Sequence, residues 1–384
     1  MTKGGFCGKM YVIGVLYLSI CSNGGNLMKR TTIVLLVLAL AMLMSACAGS
    51  GVTPTTQESV PTNLEKGNNY NADMENLNNT NESTARVWPW EDPSIVLPPF
   101  TGNVTPAGSI KSLKILVVGD RSAKDAWYFF PQLAKEAGIE LKLVVLYSNG
   151  NKGDITNHYS TGNTYTQYEY TENGWVTVAT NAKQMAVLKT DKWDYYIINN
   201  SISSSGKMDT YTSLNYIYSN VKLEQAKIGN ANIKPLFMQT WAYEINDRNN
   251  LYNGFSGYDK DQQKMFREIN NTAKLKVAAC SNIAKVATNA NSNGIIPVGT
   301  AVQNMREAYW SDGMTRDAEY LSNTGKVLAA LMLFKSITGY DINGMKLSDP
   351  VFDHARPHLG VIKESVNNAY LNPYATTPSV YHVD

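Results

Sequence analysis

The chain has 384 residues, 43% of them hydrophobic, with 34 Lys and Arg against 32 Asp and Glu and a formal net charge of +2. That is enough apolar sequence for one sizeable core with appendages, and it lacks the concentrated basic charge expected of a nucleic-acid partner. Four cysteines, three of them ahead of the folded part, give neither a disulfide framework nor a Cys/His metal spacing, and no cofactor is implied.

Residues 1–27 precede a targeting segment and read as a leader upstream of the true start at Met28. Gly24-Gly25 are encodable by a purine-rich ribosome-binding sequence a short distance before the Met28 codon. The segment itself, MKRTTIVLLVLALAMLMSAC, has Lys29 and Arg30 as its positive end, Ile33–Met44 as its apolar stretch and Met44-Ser45-Ala46-Cys47 as its small-residue cleavage site. The apolar stretch is short for a full membrane span. Cys47 in the last position resembles the lipobox of bacterial lipoproteins. That resemblance implies cleavage before Cys47, lipidation of its thiol, and a lipid anchor in the membrane at the cell surface or its periplasmic side.

Residues 48–110 are rich in Thr, Asn, Ser, Pro and Glu and are expected to form a disordered tether. Trp88 and Trp90 lie in its one apolar patch and are expected to dock on the domain's own surface, with glycan binding as the alternative.

From residue 111 short apolar runs alternate with helical patterns. Strands are expected at Leu113–Val118, Leu141–Tyr147, Tyr195–Asn199, Pro235–Thr240 and Ile295–Gly299. Helices are expected at Lys124–Ala137, Tyr211–Ile228, Asp261–Ala290 and Thr324–Ile337. This alternation predicts an α/β fold, a three-layer α/β/α sandwich with a central, mostly parallel sheet, over 111–345. NTYTQYEYTENGWVTVAT (163–180) alternates at period two around Asn173-Gly174 and predicts an inserted β-hairpin beside the sheet. Its Trp175 and Tyr165 are expected to pack within the hairpin, with a sugar-stacking rim as the alternative. Residues 346–384 read as an irregular tail.

In open α/β sheets ligands bind beyond the carboxyl ends of the strands. The residues there are Gly119, Asp120, Arg121 and Ser122; Gly150 and Gly153, leading to His158; Asn199 and Asn200; Gln239, Thr240, Trp241 and Tyr243; and finally RDAEYLSNTG (316–325).

Five phrases in order carry a resemblance: ILVVGD…DAW, KWDYYIINN…SG (192–206), MQTWAY (238–243), IIPVGTAVQNMR (295–306) and RDAEYLSNTGKVLAA (316–330). Over roughly residues 113–339 they resemble the SGNH, or GDSL-like, hydrolase superfamily, and within it the branch called domain of unknown function 4886. The resemblance implies a flavodoxin-like sheet of the SGNH-hydrolase type and ester hydrolysis, as in deacylation of carbohydrates. It implies a nucleophilic Ser after Gly-Asp, a late Asp-x-x-His that activates it, and oxyanion donors from a Gly and an Asn. This sequence has Arg121 at the Ser position. At the late pair it keeps Asp317 but has Tyr320 where the His belongs. Gly119, Asp120, Gly150 or Gly153, Asn199 and Asn200 retain the oxyanion-type set, and Gln239 and Trp241 are expected to lie near it.

The reading is a catalytically degenerate hydrolase with a polar pocket for a glycan or other small polar ligand. Arg121 is expected to fill the vacated space and pair with Asp317. One alternative is an active esterase that uses Ser122 as nucleophile, with His158, His354 or His358 as base. The other is a surface adhesion or structural module.

Overall fold

The computed structural model describes residues 97, 99–148, 153–158, 162–245, 253–280, 294–309 and 312–381. The leader, the targeting segment with Cys47, most of the tether with Trp88 and Trp90, and Gly150 lie outside the described residues.

Strand β1 (Ser112–Gly119) is the centre of the molecule. Its run SLKILVVG is apolar at consecutive positions because both faces of the strand are buried. Ile115 and Val117 pack into one hydrophobic cluster, Leu116 and Val118 into another. The first cluster is closed by helices α1 (Arg121–Ala126), α2 (Phe130–Glu136), α5 (Gln262–Thr272), α6 (Val298–Tyr309), α7 (Asn323–Thr338) and α8 (Leu359–Leu371). The second is closed by α4 (Leu214–Lys227) and by Ala273–Cys280. Helix α3 (Ile155–His158) is a single turn after β2 (Glu140–Tyr147). The fold is therefore the expected three-layer α/β/α sandwich.

Among the described residues, β1, β2, β3 (Tyr165–Thr171), β4 (Gly174–Ala182), β5 (Tyr195–Ile198), β6 (Lys234–Met238) and β7 (Ile295–Ile296) form one seven-stranded sheet in the order β4-β3-β2-β1-β5-β6-β7. β2, β1, β5, β6 and β7 run parallel. Counted among themselves they stand in the order 2-1-3-4-5, which places the topological switch point between β1 and β5. The hairpin of β3 and β4 is part of this sheet rather than a separate ribbon beside it. β3 pairs antiparallel with β2, from Tyr147↔Thr166 to Val144↔Glu169. The turn works because Gly174 takes φ +88 at no steric cost.

Several boundaries differ from expectation for local reasons. The first helix breaks at 127–129 into α1 and α2, with Pro131 at the start of the second. The last strand stops at Ile296 because Pro297 has no N–H to offer a ladder and instead opens α6, its carbonyl accepting from Ala301 N at 3.0 Å. The long helix from 261 becomes a π turn at Ala273–Val277 and is described only to residue 280.

The tail is not irregular. A 3₁₀ segment (Pro350–His358) leads into the 13-residue α8, whose Val361, Ile362, Val366 and Ala369 are fully buried in the first cluster. The end of the tether is also held. Thr105 N donates to Gly339 O at 2.8 Å, Ile110 N donates to Tyr340 OH at 2.8 Å, and the Phe100 ring stands edge-on to Tyr370 at 5.8 Å.

Candidate functional site at the strand ends

β1 and β5 end side by side, and the sheet order reverses between them, so their ends open a crevice. Asp120 follows β1 directly and is the N-cap of α1, with Oδ1 accepting from Ser122 N at 2.9 Å. The same oxygen accepts from Ser122 Oγ and, at 3.1 Å, from Asn199 Nδ2. Asn199 Nδ2 also reaches Ser122 Oγ at 2.9 Å and Asn200 O at 2.9 Å. Burial pushes the Asp120 carboxyl upward, and the bonds from Ser122 and Asn199 oppose that shift.

Two glycines make this knot possible. A Cβ on Gly119 would lie 1.6 Å from Asn199 Oδ1, and one on Gly153 would lie 2.4 Å from Asp120 Cβ. Gly153 is thus the glycine of the second strand end that meets Asp120. Gly119, Asp120, Ser122, Gly153 and Asn199 come together as expected. Asn200 faces away from them: its Oδ1 accepts from Ile155 N and Ser201 N, and its Nδ2 donates to Thr210 Oγ1 at 2.7 Å. Gln239 is likewise internal, bonded to Asn270 and to Thr300 N rather than lining a pocket.

Ser122 is fully buried, and its hydroxyl both donates to Asp120 and accepts from Asn199. No histidine bonds to it among the described residues. His158 Nδ1 is 2.9 Å from Tyr165 OH, and desolvation lowers its imidazole to about 4. His354 instead stands 5.8 Å from the Phe129 ring, ring to ring. Tyr165 is itself a core residue and forms no rim.

The late motif forms a tight loop, bridged at Thr315↔Leu321 and by Arg316 N donating to Tyr320 O at 2.8 Å. Ala318 sits in it at φ +68, a strained conformation for a residue with a Cβ. Asp317 folds back on this loop, Oδ1 accepting from Tyr320 N at 2.7 Å and Glu319 N at 3.3 Å. The expected Arg121–Asp317 pair is absent among the described residues. Asp317 pairs with Arg316 at 3.5 Å, and Arg316 also donates to Asp125 Oδ2 at 2.7 Å. Arg316 is nearer because it is the chain neighbour of Asp317 and α1 supplies its second carboxylate. Arg121 is exposed, and its guanidinium lies against the Tyr320 ring, 5.1 Å from the centroid. Arg316 lies 5.3 Å from the same centroid.

One polar group went unforeseen. Glu319 is half-buried beside Tyr243, whose OH donates to Glu319 Oε1 at 3.4 Å, while Trp241 Nε1 donates to Glu319 O at 2.7 Å. Burial first, then the Asp120 and Asp317 carboxylates, push the Glu319 carboxyl up to about 7. Its only sequence signal was its place between Asp317 and Tyr320. The arrangement can bind and can hold or release a proton at Glu319. Among the described residues, the partners of the Ser122 hydroxyl are Asp120 and Asn199.

The family profile described as "Domain of unknown function (DUF4886)" matches residues 114–351. The crystal structure of a DUF4886 family protein from Bacteroides uniformis ATCC 8492 superposes with a TM-score of 0.57 at 23% identity, over 70% of this chain and 98% of that one. The crystal structure of TesA gives a TM-score of 0.34 at 11% identity, over 59% of this chain and 98% of that one. None of the curated proteins compared with the chain matches it. The profile covers more than half of the sequence, and the chain therefore belongs to the DUF4886 family.

Proposed function

We propose that this is a non-hydrolysing domain of SGNH type, held to the outer side of a bacterial membrane by a lipid on Cys47, that binds an acidic or hydroxyl-rich ligand, such as a glycan, at the strand ends. The observation that carries the reading is the exchange at positions 121 and 122. The side chain after Gly119-Asp120 is an exposed guanidinium resting on Tyr320, and the nearest hydroxyl, on Ser122, is buried and committed to Asp120 and Asn199. A serine becomes a nucleophile only when a base takes its proton, and Ser122 has a buried carboxylate and an amide as its partners. Arg121 makes no ion pair among the described residues and is free to meet a carboxylate or a pair of hydroxyls. The lipid anchor is supported by the segment Met28–Cys47.

Two experiments test the two halves. A fluorophosphonate probe, which labels activated serines, is expected to leave the chain unmodified; labelling at Ser122 would overturn the non-hydrolysing reading. Galacturonic acid oligomers are expected to raise the melting temperature of the native chain but not of Arg121→Ala. Equal shifts in both would remove the ligand from the strand ends.

A further inference from the structure

Where the hairpin meets the α1–α2 junction lies an open groove of about 430 Å³. It is distinct in composition from the strand-end site. Its walls carry Trp175 and Tyr170 from the hairpin, Tyr128 and Phe129 from the segment between α1 and α2, Gln132 from α2, and His354 from the 3₁₀ segment. Among the described residues, no Asp, Glu, Lys or Arg lines it.

Three features fit this groove to a ligand. First, its rings are fixed before anything binds. Trp175 Nε1 donates to Tyr128 O at 3.0 Å, the Tyr170 and Trp175 rings meet edge to face at 5.5 Å, and Tyr128 and Phe129 do the same at 4.9 Å. Preset aromatic walls lose little freedom on binding. Second, Gln132 Oε1 is a buried acceptor with no hydrogen-bond partner among the described residues. A buried acceptor left bare costs free energy that a ligand donor would recover. Third, aromatic walls with a few polar groups and no formal charge match a ligand that has apolar C–H faces and hydroxyl edges. Such a ligand is a neutral carbohydrate.

We propose that this groove is a second binding site, for a neutral oligosaccharide held between Trp175 and the Tyr128–Phe129 wall with a hydroxyl donated to Gln132. The site does not depend on the strand-end reading. It lies on the hairpin edge of the sheet, and Arg121 is not among its residues. Lys326, whose ammonium lies 4.8 Å from the Tyr128 ring centroid and 3.9 Å from Asp125, stands between the groove and the carboxylate bound by Arg316.

The test uses xylohexaose and cellohexaose with the native chain, read by tryptophan fluorescence and by calorimetry up to about 5 mM, the range of weak single-site binding. Trp127, Trp193 and Trp241 are fully buried, and the part of a spectral change that is lost in Trp175→Ala reports on Trp175. Binding of at least one hexasaccharide is expected, weakened about tenfold or more in Trp175→Ala. Since Trp175 also braces the hairpin, Gln132→Ala and His354→Ala are the second line. Each is expected to weaken binding at least about threefold with an unchanged melting temperature, and Arg121→Ala is expected to bind normally. Absence of binding by either sugar at that concentration would overturn the proposal. So would binding that survives both Trp175→Ala and Gln132→Ala. Loss in Arg121→Ala with normal binding in the groove variants would assign the sugar to the strand ends and refute the groove alone.

Discussion

At the scale of single residues, the strand-end knot has consequences that can be measured. Among the described residues, Asn199 is the only side chain joining Asp120, Ser122 and the backbone of Asn200. Asn199→Ala is expected to destabilise the chain by about 2–3 kcal/mol, because it leaves a buried carboxyl short of a donor. Gly119→Ala displaces that same amide, since its Cβ would overlap Asn199 Oδ1. The two substitutions combined should therefore cost less than their sum, a coupling that urea denaturation of the four chains would read. Glu319 gives a pH test. Its carboxyl titrates near 7 in the folded chain against an ordinary value of 4.5. Between those values the folded chain keeps a proton that the unfolded chain has released, so stability falls as pH rises through the window and stays lowered above it. Glu319→Gln removes this loss. It is expected to be more stable than the native chain by about 1–2 kcal/mol near pH 8, after discounting for partial exposure, and to show no such gain near pH 4. The identities at 120, 121, 317 and 320 were readable from the sequence. Which cation faces Asp317 was not, because Arg316 and Arg121 both sit near the motif in the chain. Only the tight loop that holds Ala318 at positive φ decides that Arg316 folds onto Asp317 while Arg121 lies on Tyr320.

At the scale of elements, strands proved more legible than helix ends. β1, β2, β5 and β6 carry consecutive apolar residues because both of their faces are covered, and that signal is independent of loops. The hairpin announced itself through Asn173-Gly174. Its antiparallel pairing to β2 did not, since edge pairing depends on register with a distant strand. Helix α8 was missed because the preceding Pro350, Pro357 and the Asn and Tyr that follow suggested a coil. Its apolar stripe makes sense only once α6 and α7 offer it a surface. Helix α7 carries signals at both ends: Ser322 Oγ accepts from Gly325 N at 3.2 Å, and Gly339 closes it in the left-handed region. Ser322→Ala is expected to cost about 1 kcal/mol in chemical denaturation, the usual loss for a removed N-cap. A cost near zero would mean that the late loop, not the cap, fixes the start of α7.

At the scale of the whole molecule, the domain reaches further in both directions than composition suggested. The chain ahead of β1 is sealed onto α7 and α8: Lys335 Nζ lies 3.5 Å from the Phe100 ring centroid and 5.0 Å from that of Tyr370. Burial lowers the Lys335 ammonium to about 8, and the ring faces offset part of the cost of holding a cation there. Phe100→Ala is expected to destabilise the domain by about 2 kcal/mol, as for a partly buried ring. A polar, Pro-containing stretch gives no periodicity from which such docking could be foreseen. The architecture itself was legible because five parallel strands and their crossovers admit few arrangements. The switch point between β1 and β5 then fixes where Gly119, Asp120, Gly153 and Asn199 must meet. We propose that this meeting place holds the strand-end frame without hydrolytic chemistry. The most direct test is hydrolysis of p-nitrophenyl acetate and acetylated xylan by the native chain beside Ser122→Ala and Arg121→Ser. No turnover above buffer is expected from any of the three, because Arg121→Ser restores a hydroxyl without restoring a base. Turnover by the native chain that disappears in Ser122→Ala would contradict it.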